Sequence, residues 1–149
     1  MNTIGQILLE SAVTDRQVAN ALAEAFGVER VTVWPMGEVD DMNADLVVQR
    51  EHVSGEFPHA LQLTATDRER SNDQVIEGLR NLARLLGQFL LTDEAGITPA
   101  FDDDFLLVSP NGETTMVDAR NDALSDGRIE LTPESLARRA RLMATPLAG

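Results

Sequence analysis

The sequence predicts an α+β fold, with a largely antiparallel sheet and helices packed on one face. The order is α-β-β-β-α-β-β-β-α, over a single domain spanning 1–149. Three observations predict it. Apolar residues recur at helical spacing in two long stretches, each behind a capping signal. Short runs rich in β-branched residues alternate with a period of two. Turn signals such as Asn111-Gly112 join neighbouring runs closely enough for hairpins, which make antiparallel neighbours.

The elements follow in order. Residues 4–9 form an apolar run that suits strand or helix. Thr14 and Gln17 have the spacing of a capping box, and Val18, Ala21, Leu22, Ala25 and Phe26 then form one helical face, with Gly27 placed to end it. Residues 31–34 (Val-Thr-Val-Trp) read as a short strand that Pro35 stops or holds at an edge. Residues 45–53 and 59–66 read as two more strands joined through Ser54-Gly55-Glu56-Phe57. In the second, Leu61, Leu63 and Ala65 share one face.

Ser71 or Asn72 caps a second helix, with Asp73 suited to its positive end. Its stripe runs through Val75, Ile76, Leu79, Leu82, Ala83, Leu86, Phe89 and Leu90. Gly78 and Gly87 each weaken a helix by ~1 kcal/mol against alanine, a cost that close approach to a sheet would explain. Residues 105–108, 114–118 and 128–131 supply three further strands, the first two joined by the Asn111-Gly112 turn. Thr132-Pro133-Glu134 starts a last helix, with Leu136, Ala140 and Met143 along one side and Arg138, Arg139 and Arg141 over the rest.

Composition narrows the chemistry. All twelve basic side chains are arginines against twenty-five Asp and Glu, giving a formal net charge of −13, and the chain has no lysine, cysteine or tyrosine. Lysine-dependent mechanisms, from Schiff bases to phosphate-loop contacts, are excluded. The charge repels nucleic-acid phosphates, whose affinity comes from counterions displaced by basic faces, so nucleic acid is not an expected partner. No apolar stretch approaches the ~20 residues that span a bilayer, so no membrane is expected either. Without disulfides or a recognisable signal peptide at the start, a cytoplasmic location is expected. No glycine-rich nucleotide motif occurs, and no cofactor is expected.

Candidate sites are few. If Val53 faces Pro58 across the turn, His52 lies opposite His59, with Cβ atoms ~5 Å apart. The two imidazoles suit a transition metal or a pH switch, with Glu51 or Glu56 nearby, or else are solvated hairpin residues. Asp102, Asp103 and Asp104 suit a hard cation or a solvated turn before a sticky strand, and consecutive strand residues cannot all face one ion. Residues 122–133 carry part of a calcium-loop pattern but place Leu124 and Pro133 where ligands belong. Trp34 and Phe57 suit partner anchors or sheet packing. The arginines at 138, 139 and 141 could meet an acidic patch or complement the helix dipole.

These readings favour a non-catalytic acidic binding module, of the kind that immunity proteins, inhibitors and secretion chaperones represent. Its expected partner is another protein, basic in character, met through Asp40, Asp41, Asp102, Asp103, Asp104 and Trp34. Two alternatives stand beside it. One is a small metal- or carboxylate-dependent enzyme centred on His52 and His59. The other is a self-associating subunit, as a homodimer joined through an edge strand or the Leu136, Ala140 and Met143 stripe.

Overall fold

The computed structural model describes residues 2–92, 104–120 and 128–144. Among them the chain forms an α+β architecture around a seven-stranded sheet ordered β2-β3-β5-β1-β6-β7-β8. The strands are β1 (Asn2–Leu9), β2 (Val31–Pro35), β3 (Leu46–His52), β5 (His59–Ala65), β6 (Leu90–Thr92), β7 (Asp104–Val108) and β8 (Thr114–Asp118). A second, two-stranded sheet joins β4 (Ser54–Gly55) to β9 (Arg128–Ile129) in parallel. Three helices complete it: α1 (Asp15–Phe26), α2 (Asn72–Leu86) and α3 (Pro133–Ala144). No helix among the described residues is long and apolar enough to cross a membrane.

The element order matches the sequence reading, with three strands added. The ambiguous run at the N-terminus is β1, and it occupies the centre of the sheet, between β5 and β6, antiparallel to both. Strands β4 and β6 are too short to show a period. The sheet is mostly antiparallel but mixed, because β2 and β3 run parallel, Val31 opposite Leu46 and Pro35 opposite Arg50. Pro35 ends β2, and residues 36–45 carry the chain back so that β3 starts beside the start of β2. No hairpin signal lies there, so a connection without a helix produces the parallel pair.

The helices do not all lie on one face, which corrects the sequence reading. Strand alternation sends Ile7, Leu9, Val48, Leu61 and Leu63 to one side, where they pack with Leu22, Phe26, Leu79 and Leu82 of α1 and α2. Leu8, Ala60, Leu91, Leu107 and Val117 point the other way and form a second core with Phe57, Phe89 and Leu131, against which Leu142 of α3 packs. On that side the Arg139 guanidinium lies 4.4 Å from the Phe89 ring centroid and 2.5 Å from Glu10. The inward side of α3 is therefore Ser135, Arg139 and Leu142. Leu136 and Ala140, expected to be its apolar contact, are exposed.

The caps explain the helix limits. Thr14 with Gln17, and Ser71 with Gln74, form reciprocal capping boxes, and Gly27 and Gly87 close α1 and α2 in the left-handed conformation. Gly87 is thus a stop signal, so Leu90, read from sequence as part of the α2 stripe, starts β6 instead. Gly78 marks a close approach, although to a helix and not to a sheet. A Cβ at this position would lie 2.5 Å from the Phe26 ring of α1. Arginines of α2 also hold the β7–β8 turn, where Arg80 Nε donates to the Gly112 carbonyl at 2.7 Å.

Two predictions follow from this packing. Helix propensity alone makes Gly78→Ala stabilising by ~1 kcal/mol. Contact with the buried Phe26 ring reverses the sign, and chemical denaturation is expected to show a loss of about 1–3 kcal/mol. The second concerns acid. Arg70, whose side chain is 3% exposed, makes paired hydrogen bonds to Asp67 at 2.9 Å. Those bonds hold the Asp67 carboxyl below its ordinary value of 3.8. The folded chain therefore binds this proton less readily than the unfolded chain, so the stabilisation is present above pH 3.8 and fades as pH falls below it. Arg70→Gln should flatten that part of the stability–pH curve, and an unchanged slope would refute the assignment.

Candidate functional site

Two regions bring sequence-predicted residues together. The first is the β2 edge. Strand β2 pairs with β3 alone among the described strands. The Arg30 carbonyl accepts from Leu46 N–H, and Met36 N–H donates to the Arg50 carbonyl. By the alternation of a parallel ladder, even-numbered residues of this stretch bond to β3, which turns the N–H and C=O groups of Val31 and Val33 outward. Pro35 contributes an outward carbonyl and no donor, which limits the edge.

Trp34 stands at the end of this strand, half-buried, its indole N–H donating to Thr32 Oγ1 at 3.0 Å. It lies on the face opposite α1 and α2, in register with Gln49, which is opposite Gln62, which is opposite Gln6. This transverse row of one indole and three half-buried amides went unnoticed in the sequence. Its members lie on four strands, and the run holding Gln6 was not fixed as strand. The Gln49 side chain accepts from Gly37 N–H at 3.0 Å and so steadies the segment after β2. That segment carries Glu38, Asp40 and Asp41, all exposed, between the exposed Met36 and Met42. Asp40 and Asp41 therefore follow Trp34 in the chain within one segment, whose start at Gly37 is held to the Gln49 opposite Trp34.

The other predicted acids do not join them. Asp102 and Asp103 lie outside the described residues, as does the 122–127 part of the calcium-like loop. Asp104 opens β7, opposite Asp118. Strand β7 is sixth in the sheet and β2 is first, so Asp104 sits about five strand spacings, ~24 Å, from the β2 edge. Phe57 is 1% exposed and belongs to the second core, as packing and not as a partner anchor.

The second region is the histidine pair. Val53 N–H donates to the Pro58 carbonyl at 2.8 Å, and His52 is directly opposite His59, in the register expected from sequence. The ring centroids are 5.6 Å apart, edge to face at 84°. Both side chains stand on the α1 side of the sheet, with Arg50 two residues before His52. Arg50 is tied to α1, its guanidinium 2.5 Å from Asp15 and 2.7 Å from the Val13 carbonyl. Burial, then the neighbouring His52 and Arg50, hold the His59 imidazole below its ordinary pKa, which favours its neutral form.

Arg50, Glu51, His52 and His59 line a shallow depression of about 180 Å³. Glu51 points to the opposite face by strand alternation, and Glu56 is engaged elsewhere, accepting from Leu131 N–H at 2.7 Å. Among the described residues no group of three or more His, Asp or Glu side chains is placed to hold a metal ion. The expected arginine patch is also occupied internally. Arg138 binds Glu134 and the Met116 carbonyl, and Arg139 binds Glu10.

No family model, curated protein or solved structure matches this chain.

The loop between the histidines depends on Gly55. Its φ is +116°, and a Cβ there would lie 2.3 Å from the Ile129 carbonyl oxygen. Gly55→Ala is expected to part β4 from β9 and cost about 1–3 kcal/mol or more. Amide exchange should report the damage first at Glu56, whose N–H donates to the Ile129 carbonyl; unchanged protection there would contradict it.

Proposed function

We propose that the protein is a non-catalytic binding module that recognises a basic polypeptide at the β2 edge. The observation that carries this is the coincidence of an outward-facing strand edge with an acidic segment. Val31 and Val33 present backbone groups that pair with no described strand, and Glu38, Asp40 and Asp41 are exposed in the segment that follows β2. An extended basic segment adding to this edge would satisfy those groups and meet opposite charge. Trp34 and the exposed methionines supply apolar contact in the same stretch of chain, in line with the side chains that dominate interfaces. Immunity proteins, inhibitors and secretion chaperones are the functional class this reading fits.

Charge and edge make separable predictions. When the protein is isolated from its native host, a co-purifying basic polypeptide should be released as salt rises. Asp40→Asn with Asp41→Asn should weaken that complex roughly two- to thirtyfold at low salt, the sum of two exposed charge contributions. Val33→Pro removes an outward N–H without removing a β3 bond, and it should weaken association while circular dichroism stays unchanged. A partner held equally well by Val33→Pro would eliminate strand addition. Turnover of a small substrate, lost on changing one imidazole, would overturn the non-catalytic reading.

A further inference from the structure

We infer that His52 and His59 form a surface site for one borderline divalent transition ion, of the Zn²⁺ or Cu²⁺ class, with water completing its coordination. The inference stands on geometry and is independent of the binding reading at β2. The two residues are direct cross-strand partners, and the backbone bond between Val53 and Pro58 places them in the adjacent non-hydrogen-bonded pair. Side chains approach most closely in such a pair. The centroids, 5.6 Å apart, need only side-chain rotation to aim two ring nitrogens at a common ion about 2.0–2.1 Å from each.

The scaffold under them is rigid. His52 ends β3 and His59 begins β5, and the loop between is anchored at three points. Phe57 is 1% exposed, Glu56 N–H donates to the Ile129 carbonyl at 2.9 Å, and Glu56 accepts from Leu131 N–H. Fixed ligands lose little freedom on binding, which is the main cost of assembling a site.

Ligand type sets the selectivity. Imidazole suits zinc, copper and nickel, whereas calcium and magnesium require oxygen ligands. The nearest opposing charge is Arg50, and Asp15 neutralises it at 2.5 Å. The overall charge of −13 raises the local concentration of any cation. With two protein ligands the site is open and exchangeable, in contrast to the closed four-ligand sites that hold structural zinc.

Titration of the full chain with ZnCl₂ tests this. Calorimetry should show one saturable ion per chain, and zinc should raise the melting temperature where calcium and magnesium chlorides do not. His52→Ala, an exposed position, should weaken zinc binding by at least about tenfold, since losing a ligand costs no less than losing a group behind one. His59→Gln should do the same while keeping a polar side chain at a half-buried position. Absence of a zinc-specific shift would overturn the site. So would zinc binding that survives in both variants, because it would then belong to the carboxylates. The pull-down through β2 is unaffected by either outcome, so the two proposals fail separately.

Discussion

The whole architecture depends on β1 being buried on both faces and paired on both edges. Seven of its eight residues pair with β5 along one side, and its last three pair with β6 along the other. Ile7 and Leu9 enter the core beneath α1 and α2, while Leu8 enters the core beneath α3. Burying each of these side chains contributes about 1.5–3 kcal/mol. Their larger effect is topological. The first strand joins β5, some fifty residues later, to β6, later still, so neither half of the sheet is complete without it. Glu10, just past the strand, extends this role by holding Arg139 of α3.

Arginine does much of the remaining holding, which gives the lysine-free composition a physical reading. Arg139 lies over Phe89 while paired with Glu10, and Arg70 lies over Phe26 while paired twice with Asp67. Arg80 reaches across to the β7–β8 turn, and Arg50 ties the N-terminal end of α1 to β3. These contacts need a planar group that stacks and makes two directed bonds at once, which an ammonium cannot do. Cations spent on internal ties leave carboxylates such as Glu38, Asp40 and Asp41 to define the outer surface.

What was legible in the sequence was local. The capping box at Thr14, a cap at Ser71 or Asn72, the Asn111-Gly112 turn and the alternation of 59–66 each act within a few residues, and each appears in the structure, where the second cap is Ser71 with a capping box of its own. The opposition of His52 and His59 was legible for the same reason, since a short loop fixes the register. Long-range pairing was not legible. Nothing near Ile7 announces that its neighbours are Leu61 and Thr92, and so the glutamine row from Gln6 to Gln49 stayed hidden. The seating of α3 was misread because Arg139 buries its stem and stacks on Phe89, and a hydrophobic-stripe argument counts it as solvent-facing.

The same electrostatics bear on whether the β2 edge pairs with itself. Two copies meeting edge to edge would be two molecules that each carry −13. Like net charge opposes association, and charged residues near an edge are a usual device against unwanted strand pairing. A basic partner reverses the sign of every one of those terms while using the same backbone groups. The acidity that opposes a homodimer through β2 is therefore the feature that, in the proposed function, would admit a basic strand. Pro35 confines such a partner to the short stretch at Val31 and Val33, so the affinity would come largely from the charges and from Trp34, with few hydrogen bonds to add.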